Sequence, residues 1–341
     1  NNLGGIFYSV SSDKYPTVYN LKLENSSIKG NNNLGGISAG TNQIGFNNVL
    51  ISNVNITGNN YVSGGMVSSN AGIKNSICNE ITISGNDWVS GLFANAGQPN
   101  NSSIINSVIQ GVNNVSGIIG NAAWGGSNTS VVDSEILATG NIVGGISANA
   151  TNGVTNSYIK GTKVQGKSNA GGIIGRATSG GVISCYVNGE IIAQNNAGGI
   201  VGYLDNTGMT AVSNVSQIKN NYMAGGKVKA GYNIGGLIGD MAEDITDLNE
   251  TNKYYTGNYV QADIETLDPN TTSLKIGGRS KENEKLLNTY IYKYSTINGQ
   301  NPNSNNEPFI PEEDYLVEAD LKQEATYKTK LGWGTNYLYT T

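Results

Sequence analysis

The chain has no histidine. That absence removes the commonest general base, the commonest zinc ligand and the middle member of a Ser-His-Asp triad. Cysteine is almost as scarce: Cys78 and Cys185 are the only two. They stand four repeats apart in the periodicity described below. Strands stacked at ~4.8 Å separate them by roughly 19 Å, well past the ~7 Å reach of a disulfide. Both are expected to be free and buried. Cys185 takes the place that Ser holds in Asn75-Ser76, Asn106-Ser107 and Asn156-Ser157.

Charge is sparse as well, at 13% of residues, with 20 basic against 25 acidic side chains and a net charge of −5. The acidic balance argues against a nucleic-acid partner. No apolar run reaches the ~18 residues of a membrane-spanning helix. No long apolar pattern of period 3.6 is present either, which argues against a helical fold. The opening residues Asn1-Asn2-Leu3 lack Met and a basic stretch. They read as the start of a domain excised from a longer protein.

Glycine is plentiful, with 47 in 341 residues. Much of it falls in one unit, aliphatic-Gly-Gly-aliphatic, best seen at Val143-Gly144-Gly145-Ile146. The unit recurs with its second position at Gly5, Gly36, Gly65, Gly91, Gly117, Gly145, Gly172, Gly199 and Gly236. The spacings are 31, 29, 26, 26, 28, 27, 27 and 37 residues. A period near 27 identifies a solenoid. Within residues 143–171 three short strands alternate with turns. The expected fold is therefore all-β: a parallel β-helix of about nine coils, roughly triangular in section and right-handed by the crossover preference. Residues 1–280 form this solenoid. Residues 281–341 form a C-terminal cap, helical from about Val317 to Lys330, laid over the end of the stack.

The aliphatic residues flanking each Gly pair are three apart, so strict alternation would put them on opposite faces. Both are apolar, which predicts a bend that glycine permits by adopting φ > 0. The small residues three positions after the pair, such as Gly175 and Gly202, are expected to let the opposite wall come close. Ile37, Met66, Leu92, Ile118, Ile146, Ile173, Ile200 and Leu237 are expected to stack up the core. Asn33, Asn60, Asn86, Asn114, Asn141, Asn169, Asn196 and Asn233 precede the pairs and are expected to form an asparagine ladder.

Candidate sites are few. Tyr61 and Trp88 fall at nearly the same corner of adjacent coils, and Trp124 lies in a Gly-rich turn. Exposed aromatics on a solenoid can stack on sugar rings or anchor a protein. Against this stands the plainer reading of a hydrophobic cover over a turn. Asp240, Glu243, Asp244 and Asp247 are oxygen donors suited to Ca²⁺, but lack the order of a known calcium loop. No other cofactor is expected. Glu80, Asp133, Glu135, Glu190 and Asp205 are candidate acids for glycoside chemistry. Asp133 and Glu135 have the period-two spacing that lets both face one way, but no acids on neighbouring coils support them.

The repeat resembles the GLUG-type repeat of bacterial surface and secreted proteins. The likeness rests on Val143-Gly144-Gly145-Ile146-Ser147-Ala148 and Ala170-Gly171-Gly172-Ile173-Ile174-Gly175-Arg176, each followed by an Asn-Ser or Ser-Cys strand. It spans about residues 3–280. Tyr327-Lys328-Thr329-Lys330-Leu331-Gly332-Trp333 is similar to the segment that closes such arrays. These arrays occur in the non-catalytic N-terminal region of the M26 family of immunoglobulin A-specific zinc metalloproteases. The resemblance implies a cell-surface or secreted module. The family's His-Glu-x-x-His motif has no counterpart in a chain without histidine, so any peptidase activity would lie outside it. The expectation is a monomeric, non-catalytic spacer and binding module, contacting host protein or glycan. The alternatives are a substrate-engaging module of an immunoglobulin A metalloprotease and a carbohydrate-active β-helix enzyme.

Overall fold

The computed structural model describes residues 3–7, 16–95, 97–123, 125–205, 217–242, 255–269, 273–275, 289–292, 294–300, 315–323, 325–326, 329 and 331. They form a parallel β-solenoid. Each strand pairs with its equivalent one coil away: Val143 lies between Val115 and Ala170, and Ile159 between Val131 and Val187. Three faces result. One is a 10-stranded sheet of the Gly-pair strands, running from Leu3–Gly4 to Ser273–Lys275. The second includes a 5-stranded sheet from Ile119–Ala122 to Ile238–Met241. The third is a long sheet that begins with Thr17–Lys29 and Gly45–Thr57.

The second and third strands expected in each coil merge into this long sheet, which bends at two columns of left-handed residues. The first column is Asn20, Asn48, Asn75, Asn101, Asn128, Asn156, Ser184, Asn220 and Gly257, all with positive φ. The second is Asn25, Asn53, Glu80, Asn106, Asp133 and Gly161. Asparagine dominates because its short amide tolerates this region and bonds locally. Amide bonds link successive coils, as from Asn48 to Asn20 at 2.6 Å and from Asn53 to Asn25 at 2.7 Å.

The main asparagine columns thus run along the long sheet rather than before the Gly pairs. At the Gly-pair corner only Asn169, Asn196 and Asn233 form the expected ladder, with successive bonds of 2.9 Å. Asn60, Asn86 and Asn141 fall out of that register.

The glycine pairs work by close approach, not by left-handed geometry: none of the pair glycines has positive φ. A Cβ on Gly144 would strike the carbonyl of Ser147, where the chain turns sharply. A Cβ on Gly145 would strike the carbonyl of Gly172 in the next coil. Gly175 and Gly202 have a similar role. They abut the backbone of Val143 and Ala170, which lie on the Gly-pair face of the preceding coil.

In one repeat the register differs by a residue from that expected. Ser63 pairs with Gly35, and Ser38 pairs with Met66. Gly64 therefore holds the pair's second position, Gly65 occupies the slot of the core aliphatic, and Met66 lies one column along. The rest of the core column, Ile37, Leu92, Ile118, Ile146, Ile173, Ile200 and Leu237, is fully buried. Each such side chain contributes about 1.5–3 kcal/mol.

Inward-facing hydroxyls tie the coils together at two corners. Ser76, Ser102, Thr129 and Ser157 share one, continued by Cys185 and Asn221. Ser107 and Ser134 share the other, where the Ser107 N–H donates to Ser134 Oγ at 3.0 Å. Ser107 and Ser157 are therefore not equivalent, although each follows an Asn in sequence.

The long sheet continues past residue 280, through Thr289–Tyr292 and Tyr315–Leu316. Of the helix expected over 317–330, Glu318–Leu321 is α-helical, and Ala325, Thr326 and Thr329 are also helical among the described residues. Leu316 and Leu331 pack on Tyr259, beside Tyr222, Tyr290, Tyr292 and Leu321. Residues 276–288 and 301–314 lie outside the described residues.

Candidate functional site

Tyr61 and Trp88 share one register column with Asn33 and Asn114. All four have positive φ: 53° at Asn33, 55° at Tyr61, 55° at Trp88 and 53° at Asn114. For asparagine this conformation is cheap. For a bulky side chain the left-handed region costs roughly 1–2 kcal/mol. The two rings lie parallel, 6.4 Å apart at their centroids and 1° from a common orientation. Both are half-buried. The indole covers Gly120 of the next coil, where a Cβ would come within 3.1 Å of Trp88 Cε3.

A polar chain borders the rings. The Trp88 backbone N–H and the Asn114 amide both donate to Asp87 Oδ1, at 2.9 and 2.7 Å. Asn149 donates in turn to Asn114 Oδ1 at 2.8 Å. The site thus offers two apolar ring faces beside fixed amide and carboxylate groups. Trp124 lies outside the described residues.

Two of the five candidate acids are engaged in ion pairs. Asp205 pairs with Arg176, and Glu190 bonds Lys229 at 3.2 Å. Glu80 and Asp133 occupy left-handed corner positions, and both are exposed, as is Glu135. Burial, with Asp205 and Asp240 nearby, holds the Tyr203 phenol above its usual pKa, against the opposing charge of Arg176. Glu243, Asp244 and Asp247 lie outside the described residues. Among the described residues no group of three or more His, Cys, Asp or Glu side chains could hold a metal. Cys78 and Cys185 are buried free thiols. Burial pushes the Cys185 thiol up to about 12 and Cys78 higher still.

One feature escaped the sequence reading. Tyr158, Tyr186, Tyr222, Tyr259 and Tyr290 stand in register on consecutive coils. Neighbouring rings lie 6.4, 4.6 and 6.4 Å apart from Tyr158 to Tyr259. The signal was present: each Tyr directly follows the buried Ser, Cys, Asn or Thr of the first corner. Variable coil length hid it, with spacings of 28, 36, 37 and 31 residues.

The fold and these surfaces define a parallel β-solenoid with aromatic columns on its flanks. No family model matches the chain, so the GLUG-type assignment gains no support from one, and no curated protein matches it. Among solved structures it is similar to a "putative immunoglobulin A1 protease" from Bacteroides ovatus. That match has 14% identity and a TM-score of 0.47, and covers 85% of this chain and 79% of the other. Similarity at this level assigns no function.

Proposed function

We propose that the chain is a non-catalytic extracellular module of a bacterial surface or secreted protein, a rigid spacer whose flank binds host glycan at Tyr61 and Trp88. One observation carries this reading. Two coils place aromatic rings in a backbone conformation that the adjoining coils fill with asparagine, at a cost of roughly 1–2 kcal/mol each. Strain of this kind clusters where a side chain must be presented. Parallel ring faces stack on the C–H faces of a sugar. Asp87, Asn114 and Asn149 supply acceptors and donors for its hydroxyls. The amide-rich border favours glycan over protein, whose anchoring sites are enriched in aromatics and Arg within a dry apolar surround.

The test is a glycan array probed with the chain and with a Tyr61→Asn, Trp88→Asn double variant. Binding by the parent chain that the double variant loses supports the reading; equal binding by both sinks it. The narrower role, engaging immunoglobulin A for a downstream metalloprotease, is supported by the repeat resemblance alone. It requires a His-Glu-x-x-His segment further along the full reading frame. A carbohydrate-active enzyme would instead release reducing sugar and lose that activity when Asp133 or Glu135 is changed.

A further inference from the structure

Among the described residues the tyrosine ladder is covered along only part of its length. At one end Tyr259 is 3% exposed, packed against Leu316 and Leu331, with Tyr222, Tyr290, Tyr292 and Leu321 around them. This cluster is separate from the solenoid core. At the other end Tyr158 is 39% exposed and Tyr186 half-buried, with no covering segment among the described residues. The ladder stops there, because the next position is Ser130, bonded to Ser103 at 2.7 Å.

The molecule therefore shows what its own ladder accepts: a polypeptide segment that lays leucine side chains against tyrosine rings. The uncovered rings continue that surface without a break in register. We propose that Tyr158 and Tyr186 form a docking site for a partner polypeptide segment presenting leucine side chains, alongside the chain's own C-terminal segment. The rings supply apolar area and carry phenol hydroxyls at their tips, that of Tyr186 bonded to Asn188. Adjacent rings are tilted by 44° and 35° rather than parallel. Such a corrugated surface suits branched aliphatic side chains better than the flat face of a sugar. This site is independent of Tyr61 and Trp88.

The probe is a labelled synthetic peptide of residues 312–334, added to the intact chain and followed by fluorescence anisotropy. Saturable binding is expected, with Kd rising at least tenfold in a Tyr158→Ser, Tyr186→Ser double variant. Serine is the residue the ladder itself carries one coil below. A second measurement is independent of any variant's folding. Photo-leucine at peptide positions 316 and 331 should cross-link to the strand around Tyr158 and Tyr186 in the unaltered chain. Three outcomes overturn the proposal: no saturable binding, binding indifferent to the double variant, or cross-links confined to the Tyr259 region, which would mean displacement of the chain's own segment. Glycan binding that depends on Tyr158 in place of peptide binding would also overturn it.

Discussion

Trp88 and Ser90 sit two residues apart and depart from local comfort in different ways. Trp88 carries a large ring at φ 55°. Its replacement by asparagine, the residue found in the same column at Asn33 and Asn114, should raise stability by about 1–2 kcal/mol. Denaturant titration checks this. A loss of stability would show that the indole acts mainly as cover for Gly120. Ser90 has a different defect. Its hydroxyl is fully buried without a hydrogen-bond partner, as are those of Ser63 and Ser116 in the same column. An orphaned buried hydroxyl costs about 1–3 kcal/mol. Ser90→Ala should therefore shift the urea midpoint upward, with an unchanged slope.

At the scale of the coil, the glycines divide into those pressed by backbone and those in open space. Gly172→Ala would drive a methyl into the carbonyl of Gly199 and the side chain of Val187. The expected loss is at or above the ~3 kcal/mol of a severely overpacked core. Gly126→Ala meets nothing closer than Pro99 Cγ at 3.5 Å and should change stability by less than about 1 kcal/mol. Equal effects from the two, read by thermal or urea unfolding, would contradict this account of the pairs. The repeat itself was plain in sequence, because a glycine between small and aliphatic residues recurs about every 27 residues, even where Ser90 and Ser116 replace the first glycine of the pair. Register was less so. Ser63-Gly64-Gly65-Met66 offers two adjacent glycines to one slot, and only the pairing of Ser38 with Met66 chooses between them. The left-handed corners were harder to find, since Glu80, Asp133 and Ser184 stand where other coils have asparagine. Of the site, the nearness of Tyr61 to Trp88 was legible. Their parallel rings and strained backbone were not, because neither leaves a trace in spacing.

For the molecule as a whole, stacking dictates shape and response to pH. The 10-stranded sheet, at ~4.8 Å per step, gives a stack roughly 43 Å long. Small-angle scattering should report an elongated particle with almost no helical signal in circular dichroism. The two thiols make the chain sensitive to alkali. Burial holds their folded pKa values above the ordinary thiol range, so the folded state holds protons that the unfolded chain releases. Their contribution is complete below pH ~9 and is lost as pH rises toward the folded values, at about 1.4 kcal/mol per pH unit for each thiol. Cys185→Ser, which restores the hydroxyl of its column, should flatten that decline between pH 9 and about 12; an unchanged slope would remove Cys185 from the explanation.

The interstrand bonds of the three faces all point along the stacking direction, and each coil is held only by its immediate neighbours. Tension applied to the two ends therefore loads those bonds in series, not side by side. A tethered chain of this build yields under modest force by releasing one coil after another. It lengthens in steps of about 27 residues, the repeat period, and can rewind when slack returns.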